Sequence, residues 1–254
     1  MHRFRAVISI GGLLLLWQCL VWTQWVNPEY FPGPGPTLQA LWAGLVGGEL
    51  LRALGQTLAR ALLGLLGATL LGIAVALLTA RYKLLKRALD PVAEFFRPLP
   101  PAALVPMAIF FLGLGPLLFA FILLFACVWP VYLNAGAALA AVSTVQLRTA
   151  SSFGYAGWDR VLKVQLPAAL PEIFIGVRIA AGVALIAAVV TEMLAGRDGL
   201  GYQLNESAMT LRIPEMFAAL LLAMGSGLAL NALVRAVRGR VVRWHVVMTQ
   251  SNRA

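Results

Sequence analysis

The chain has 254 residues, of which 61% are hydrophobic and 12% charged, with a mean hydropathy of +0.85. Soluble domains average about 45–50% apolar and about 25% charged residues, so a water-soluble globule is excluded and the bilayer is the solvent that suits this composition. Twenty Lys and Arg against ten Asp and Glu give a formal charge of +10, which in such a chain points to loops facing anionic headgroups rather than to nucleic acid.

Charge-free runs set the predicted elements. Ala6 to Pro28 carries no charged residue and predicts a first span over residues 7–25, closed by NPEYFPGPGP. MHRFR in front of it resembles a signal-peptide n-region, but Trp22, Gln24 and Trp25 stand where small cleavage-site residues would be needed, so a retained anchor is expected. Ala61 to Ala80, between Arg60 and RYKLLKR, predicts a second span over 58–80. The run from Pro98 to Leu147 is too long for one helix, and LGLGP at Leu112 to Pro116 favours a turn, giving spans over 98–113 and 116–138. A fifth span, 173–194, holds Arg178 and Glu192 near its ends, and a sixth, 216–234, lies between Glu215 and Arg235. The reading is an all-α polytopic membrane protein, one transmembrane domain over 1–254 with six helices.

An even number of spans puts both termini on one side. On that side fall Arg3 and Arg5, the cluster Arg81 to Arg97, then Arg148, Arg160 and Lys163, and finally Arg235, Arg238, Arg240, Arg243 and Arg253. Fifteen cations there face three, Arg52, Arg197 and Arg212, on the other, so the positive-inside rule places both termini in the cytoplasm.

Small residues recur every four positions on two spans: Gly64, Ala68, Gly72, Ala76 and Ala80, then Gly176, Ala180, Ala184 and Ala188. Such stripes let helices approach closely in lipid, and internal bundle packing or a subunit contact both fit them. Asp90 before Pro91 reads as a helix cap, and Asn134 as a packing amide. Arg178 and Glu192 are the candidate translocation-path residues; snorkelling from the span ends is the competing explanation.

Several chemistries have no signature here. GxxxxGK[ST] is absent, as is a GxSxG nucleophile; GSG at 225–227 lies in a span. His2 and His245 sit near opposite ends of the chain, and Cys19 and Cys127 lie in apolar runs, so no metal-ligand spacing emerges. No catalytic, cofactor or metal residue is expected.

The informative loop is RTASSFGYAGWDRVLKVQLPAALPEIF, within the cytoplasmic segment 144–171. Ala150 to Phe153 can end a helix at Gly154 through a positive φ, Trp158 to Val164 can form about two turns, Pro167 should stop that helix, and Pro171 can open the next. Trp158, Val161 and Leu162 give the short helix an apolar face, suited either to a partner's groove or to the bilayer interface.

Gly154, nine residues, Val164, Gln165, then Leu166-Pro167 resemble the EAA loop of ABC importer permeases. NPEYFPGPGPT, ALDPVAEFFRPLPPAALVP, FLGLG, WPVYLN, GVRIA and TEMLAGRDGLGYQLNESA extend the likeness over nearly the whole chain, toward the nitrate, sulfonate, taurine and bicarbonate branch. The resemblance implies that Ser152, Phe153, Gly154, Tyr155, Ala156, Gly157, Trp158, Asp159, Arg160, Leu162, Leu166 and Pro167 form the coupling contact with an ATPase subunit. It also implies a second permease subunit, two ATP-binding subunits that hold ATP and magnesium, an extracytoplasmic substrate-binding protein, a small anionic solute and a bacterial inner-membrane location. Where the motif has Glu-Ala-Ala this chain has Arg148, Thr149 and Ala150, so an acidic or neutral counterpart is expected on the partner. A stand-alone secondary transporter or channel is the rival; it would need midplane carboxylates, and the middle of every predicted span lacks them. A non-transport membrane scaffold is a second rival.

Overall fold

The computed structural model describes residues 2–23, 27 and 29–242. Gln24, Trp25, Arg243, His245 and Arg253, used above for the anchor, the charge count and the metal argument, lie outside the described residues. The described chain is helical, without strands: α1 (His2–Trp22), α2 (Pro34–Val46), α3 (Glu49–Arg81), α4 (Lys83–Phe96), α5 (Pro101–Leu112), α6 (Pro116–Ala140), α7 (Thr144–Ser152), α8 (Gly157–Arg160), a π-helical turn over Val161–Gln165, α9 (Leu166–Ala195), α10 (Leu200–Met209) and α11 (Ile213–Val241).

Four helical runs among the described residues are long and apolar enough to cross a bilayer: Glu49–Arg81, Pro116–Ala140, Gly157–Ala195 and Ile213–Val241. They contain the predicted spans 58–80, 116–138, 173–194 and 216–234. The helices outrun those spans because a charge ends an apolar stretch without ending a helix; Arg52, Gln56 and Arg60 are good helix formers. The predicted span 98–113 differs more. Only Pro101–Leu112 is helical there, about 18 Å at 1.5 Å per residue, and it bends by 100° from α4. Pro101 marks the break, since the residue before a proline is driven out of the α region and Pro100 has φ −66° and ψ 121°, whereas Arg97, before Pro98, is still helical at φ −54° and ψ −45°. The helix α1 runs over His2–Trp22 and covers most of the predicted span 7–25.

The chain forms two compact units, one of Met1–Thr57 with Glu192–Ser226, the other of Leu58–Thr191 with Gly227–Ala254. In the first, the Trp17 indole N–H donates to the Pro32 carbonyl (3.0 Å), and the rings of Trp17, Phe31 and Phe217 pack with centroids 5.5–6.3 Å apart. In the second, α6 is the central helix, with Leu123, Cys127, Val131 and Ala135 all essentially buried. Both small-residue ladders meet it. A Cβ on Gly64 would lie 2.5 Å from Leu123 Cβ, one on Gly72 2.8 Å from Val131 Cγ1, and one on Gly176 2.6 Å from Asn134 Cβ. Ala68, Ala76, Ala180, Ala184 and Ala188 are fully buried beside them. Internal packing therefore accounts for these stripes apart from Ala80, which is exposed, and the close backbones provide the dispersion contact that holds helices together where lipid is as apolar as leucine. Asn134 is the packing amide expected, its Nδ2 donating to the Pro130 carbonyl (2.7 Å).

Asp90 is no cap. It lies inside α4, where its carboxylate accepts from the Tyr132 hydroxyl on α6 (2.6 Å) and from Lys86 one turn earlier. With Phe96 stacked on Trp129 (5.5 Å), this contact lays α4 against α6.

Candidate functional site

The loop after α6 is built from local rules. Ser143 caps α7 by accepting from the Val145 N–H (3.2 Å). At the other end the Tyr155 N–H bonds the Ala150 carbonyl (2.9 Å) and the Gly154 N–H bonds Ser151 (3.0 Å), the paired closure of a Schellman turn, with Gly154 at φ +82° as the left-handed residue the turn demands. Gly154 thus ends the helix as the sequence predicts.

Pro167 does not stop the next helix. Gly157 to Ala195 runs on as one helical rod through Pro167 and Pro171. Over Val161–Gln165 the turn widens and the Leu166 N–H reaches back to the Val161 carbonyl, five residues earlier. The wider ring relieves the clash a proline makes with the preceding turn, so the helix absorbs it.

The projecting part carries Phe153, 77% exposed, together with exposed Tyr155, Trp158 and Leu162. Ser152, Ala156 and Asp159 are exposed with them, while Gly157 and Arg160 are half-buried. Val161, expected on the same apolar face, points inward and is buried. Leu166 packs against the core of its unit and Pro167 is half-buried, so these two belong to the base of the loop and not to its exposed tip. Trp158 leans edge-on against Tyr82 at 6.3 Å. Lys163 bonds Asp159 (2.8 Å), and that hydrogen bond pushes the lysine pKa up; both side chains are exposed, so the pair contributes little to stability. Arg160 Nε and Gln165 Oε1 are buried and lack a hydrogen-bond partner within the chain.

The two path candidates part company. Arg178 is exposed on α9. Glu192, in the other unit, is fully buried and does not snorkel. Its Oε2 accepts from the Thr57 hydroxyl (2.8 Å) and from the Gly201 N–H (3.0 Å), while Thr57 accepts from the Leu200 N–H (2.8 Å). Beside this cluster Gln56 Nε2 donates to Asp198 (2.8 Å), and a cavity of about 430 Å³ opens between α3 and α10, with Arg52, Arg197, Asp198 and Arg212 among its lining residues. Sequence reasoning missed Thr57 and α10; the signal present was the Gln56-Thr57 pair beside Arg52 and Arg60 at the start of α3, set against TEMLAGRDGLG. Among the described residues no group of three or more His, Cys, Asp or Glu could hold a metal ion.

Long apolar helices packed through glycine, with an exposed aromatic loop between two of them, define a polytopic α-helical membrane subunit. Residues 68–244 match the family described as "Binding-protein-dependent transport system inner membrane component". The chain belongs to this family of ABC transporter permeases. It is 30% identical over 249 residues to the taurine transport system permease protein TauC of Escherichia coli, covering 95% of this chain and 90% of that one. The putative aliphatic sulfonates transport permease SsuC of Bacillus subtilis is 25% identical over 94% of this chain and 87% of its own. The nitrate import permease NrtB of Leptolyngbya laminosa is 29% identical over 74% and 68%. These relatives place the chain in the nitrate, sulfonate and taurine branch. A solved structure of the MetNI methionine ABC transporter, inward facing, shares the fold with a TM-score of 0.64 over 76% of this chain and 94% of that one, at 20% identity.

Proposed function

We propose that this chain is the membrane-spanning subunit of an ATP-driven importer, that two copies form the path for a small anionic solute, and that the path works by alternating access. In this reading the chain crosses the bilayer six times with both termini in the cytoplasm, α1 and α5 supplying the two crossings not made by the four long helical runs, and α4 with its cations lying on the cytoplasmic side. The fifteen-to-three cation asymmetry supports that orientation. An extracytoplasmic binding protein delivers the solute, two ATPase subunits bind ATP and magnesium inside, and the location is a bacterial inner membrane. The relatives named for taurine, sulfonates and nitrate support an anionic cargo.

The loop over 144–171 is the ATPase contact. The observation that carries this is the tip of exposed Phe153, Tyr155, Trp158 and Leu162 held on a rigid Schellman turn, over buried polar atoms of Arg160 and Gln165 that await a partner. Rigidity matters, because ATP can shift the permease between two states only by the difference in its coupling to each, and a loose tether transmits none. The test is copurification of the cognate ATPase with Phe153→Asp and Trp158→Asp variants. Loss of the ATPase from a subunit that still reaches the membrane is expected; full retention, with normal uptake, refutes the assignment.

A further inference from the structure

Glu192 is a buried carboxyl that neither the packing of the spans nor the coupling loop requires. Leu200 and Gly201 open α10, so their N–H groups are among the donors that a helix start leaves without an internal partner. The residue at the cap, Gly199, has φ +97° and supplies no side-chain bond. The two N–H groups are satisfied instead from outside the helix. Gly201 donates to Glu192 at the end of α9, and Leu200 donates to Thr57 on α3, which itself donates to Glu192. A Cβ at Gly199 would come within 2.3 Å of the Glu192 carboxyl carbon, so the chain closes directly over this group. Three helices are thereby fastened at one carboxyl oxygen.

What they enclose is polar. The cavity of about 430 Å³ has Glu49, Arg52 and Gln56 of α3 on one wall and Tyr202, Gln203 and Glu206 of α10 on the other. Gln56 precedes Thr57 and Gly199 precedes Leu200, so residues of the fastening and of the lining are adjacent in the chain. In the proposed topology Arg52, Arg197 and Arg212, all lining residues, are the three cations on the outer side, so the cavity faces the compartment from which an importer receives its solute. Its size lies in the range of small-molecule pockets, and it presents guanidinium and carboxylate groups together.

We propose that Glu192, acting with Thr57, is a positioning residue for solute reception, holding α10 against α3 so that the charged outer cavity is preformed when the binding protein delivers its load. The inference rests on the importer reading above. Glu192 does not touch solute. Removing one acceptor or donor from a buried cluster carries the full desolvation penalty of the groups left behind, so Thr57→Val releases the wall while Thr57→Ser keeps it closed.

The experiment uses the full permease with its ATPase and binding protein. Gln203→Cys in a Cys19→Ser background reports on the wall through its rate of modification by an anionic, membrane-impermeant methanethiosulfonate. Thr57→Val and Glu192→Met should each raise that rate about tenfold and raise the binding-protein concentration that half-saturates stimulated ATPase activity several-fold, while Thr57→Ser should leave both near the parent values. If Thr57→Val fails to reach the membrane, Glu192→Met, which keeps the length of the side chain and removes both acceptor oxygens, carries the test. Unaltered modification and half-saturation in Glu192→Met overturn the proposal. Failure of the parent permease to retain its ATPase overturns the importer reading instead.

Discussion

Replacing Gly72 by alanine tests the central packing claim, that α6 is clasped by glycine faces. The added Cβ would stand 2.8 Å from Val131 Cγ1, 2.9 Å from Val131 Cβ and 3.1 Å from the Tyr132 backbone nitrogen. Ordinary carbon contacts begin at about 3.5 Å, so α3 and α6 must separate by about half an ångström or more, because neither a Cβ nor a backbone nitrogen can swing aside. Overpacking of this kind costs about 1–3 kcal/mol. Helix propensity opposes it, since alanine is favoured over glycine by up to about 1 kcal/mol in a helix interior. The net expectation is a loss of up to about 2 kcal/mol, which at about 2–4 °C per kcal/mol for chains near this size lowers the melting midpoint by up to about 8 °C. Gly55→Ala is the control: it lies in the same helix, exposed, with nothing within 4 Å of the new Cβ, and should raise the midpoint slightly. Fluorescence-detected size-exclusion of the detergent-solubilised protein after heating measures both. If Gly72→Ala melts at or above the Gly55→Ala midpoint, the close approach of α3 to α6 is wrong.

Gly154→Val places a β-branched residue at φ +82°, a region such residues essentially avoid; ATPase copurification should fall while the melting midpoint changes little, because the turn is exposed. Cys127 is buried with its Sγ 3.5 Å from the Ala180 carbonyl and Cys19 lies in the first span, so a membrane-impermeant maleimide should label neither thiol of the native protein in membranes and both after denaturation. At Asp90, partial burial works to raise the carboxyl pKa, but the hydrogen bonds from Lys86 and Tyr132 and the lysine charge outweigh it and the pKa is lowered. A carboxyl lowered in the folded state stabilises fully above its ordinary value of about 3.9 and loses that contribution as pH falls through the folded value. The midpoint gap between wild type and Asp90→Asn should therefore be widest near neutral pH and narrow in acid; a gap that stays constant or widens as the pH falls below about 4 contradicts the contact.

Much of the candidate loop was legible in the sequence because its rules are local. Gly154 ends α7 for reasons confined to a few neighbouring residues, and the exposed Phe153 and Trp158 follow from the same short segment. The proline at 167 misled because a helix interior usually rejects it, and only a widened π turn six residues long in its influence, Val161 to Leu166, makes room. Asp90 misled for a different reason: its preference for helix starts is a local propensity, and a tertiary partner, Tyr132, outweighed it.

The membrane class, the cation asymmetry and the stripes of small residues are properties of composition and period, and the sequence determined them by itself. Which helix each stripe meets is a matter of pairing between distant segments, and it took the packed fold to bring both Gly72 and Gly176 onto α6. The same holds for Glu192. One carboxyl near the end of an apolar run is compatible with water, lipid or a partner, and its burial is decided by Thr57, 135 residues away in the chain, which no period or local propensity can bring to it.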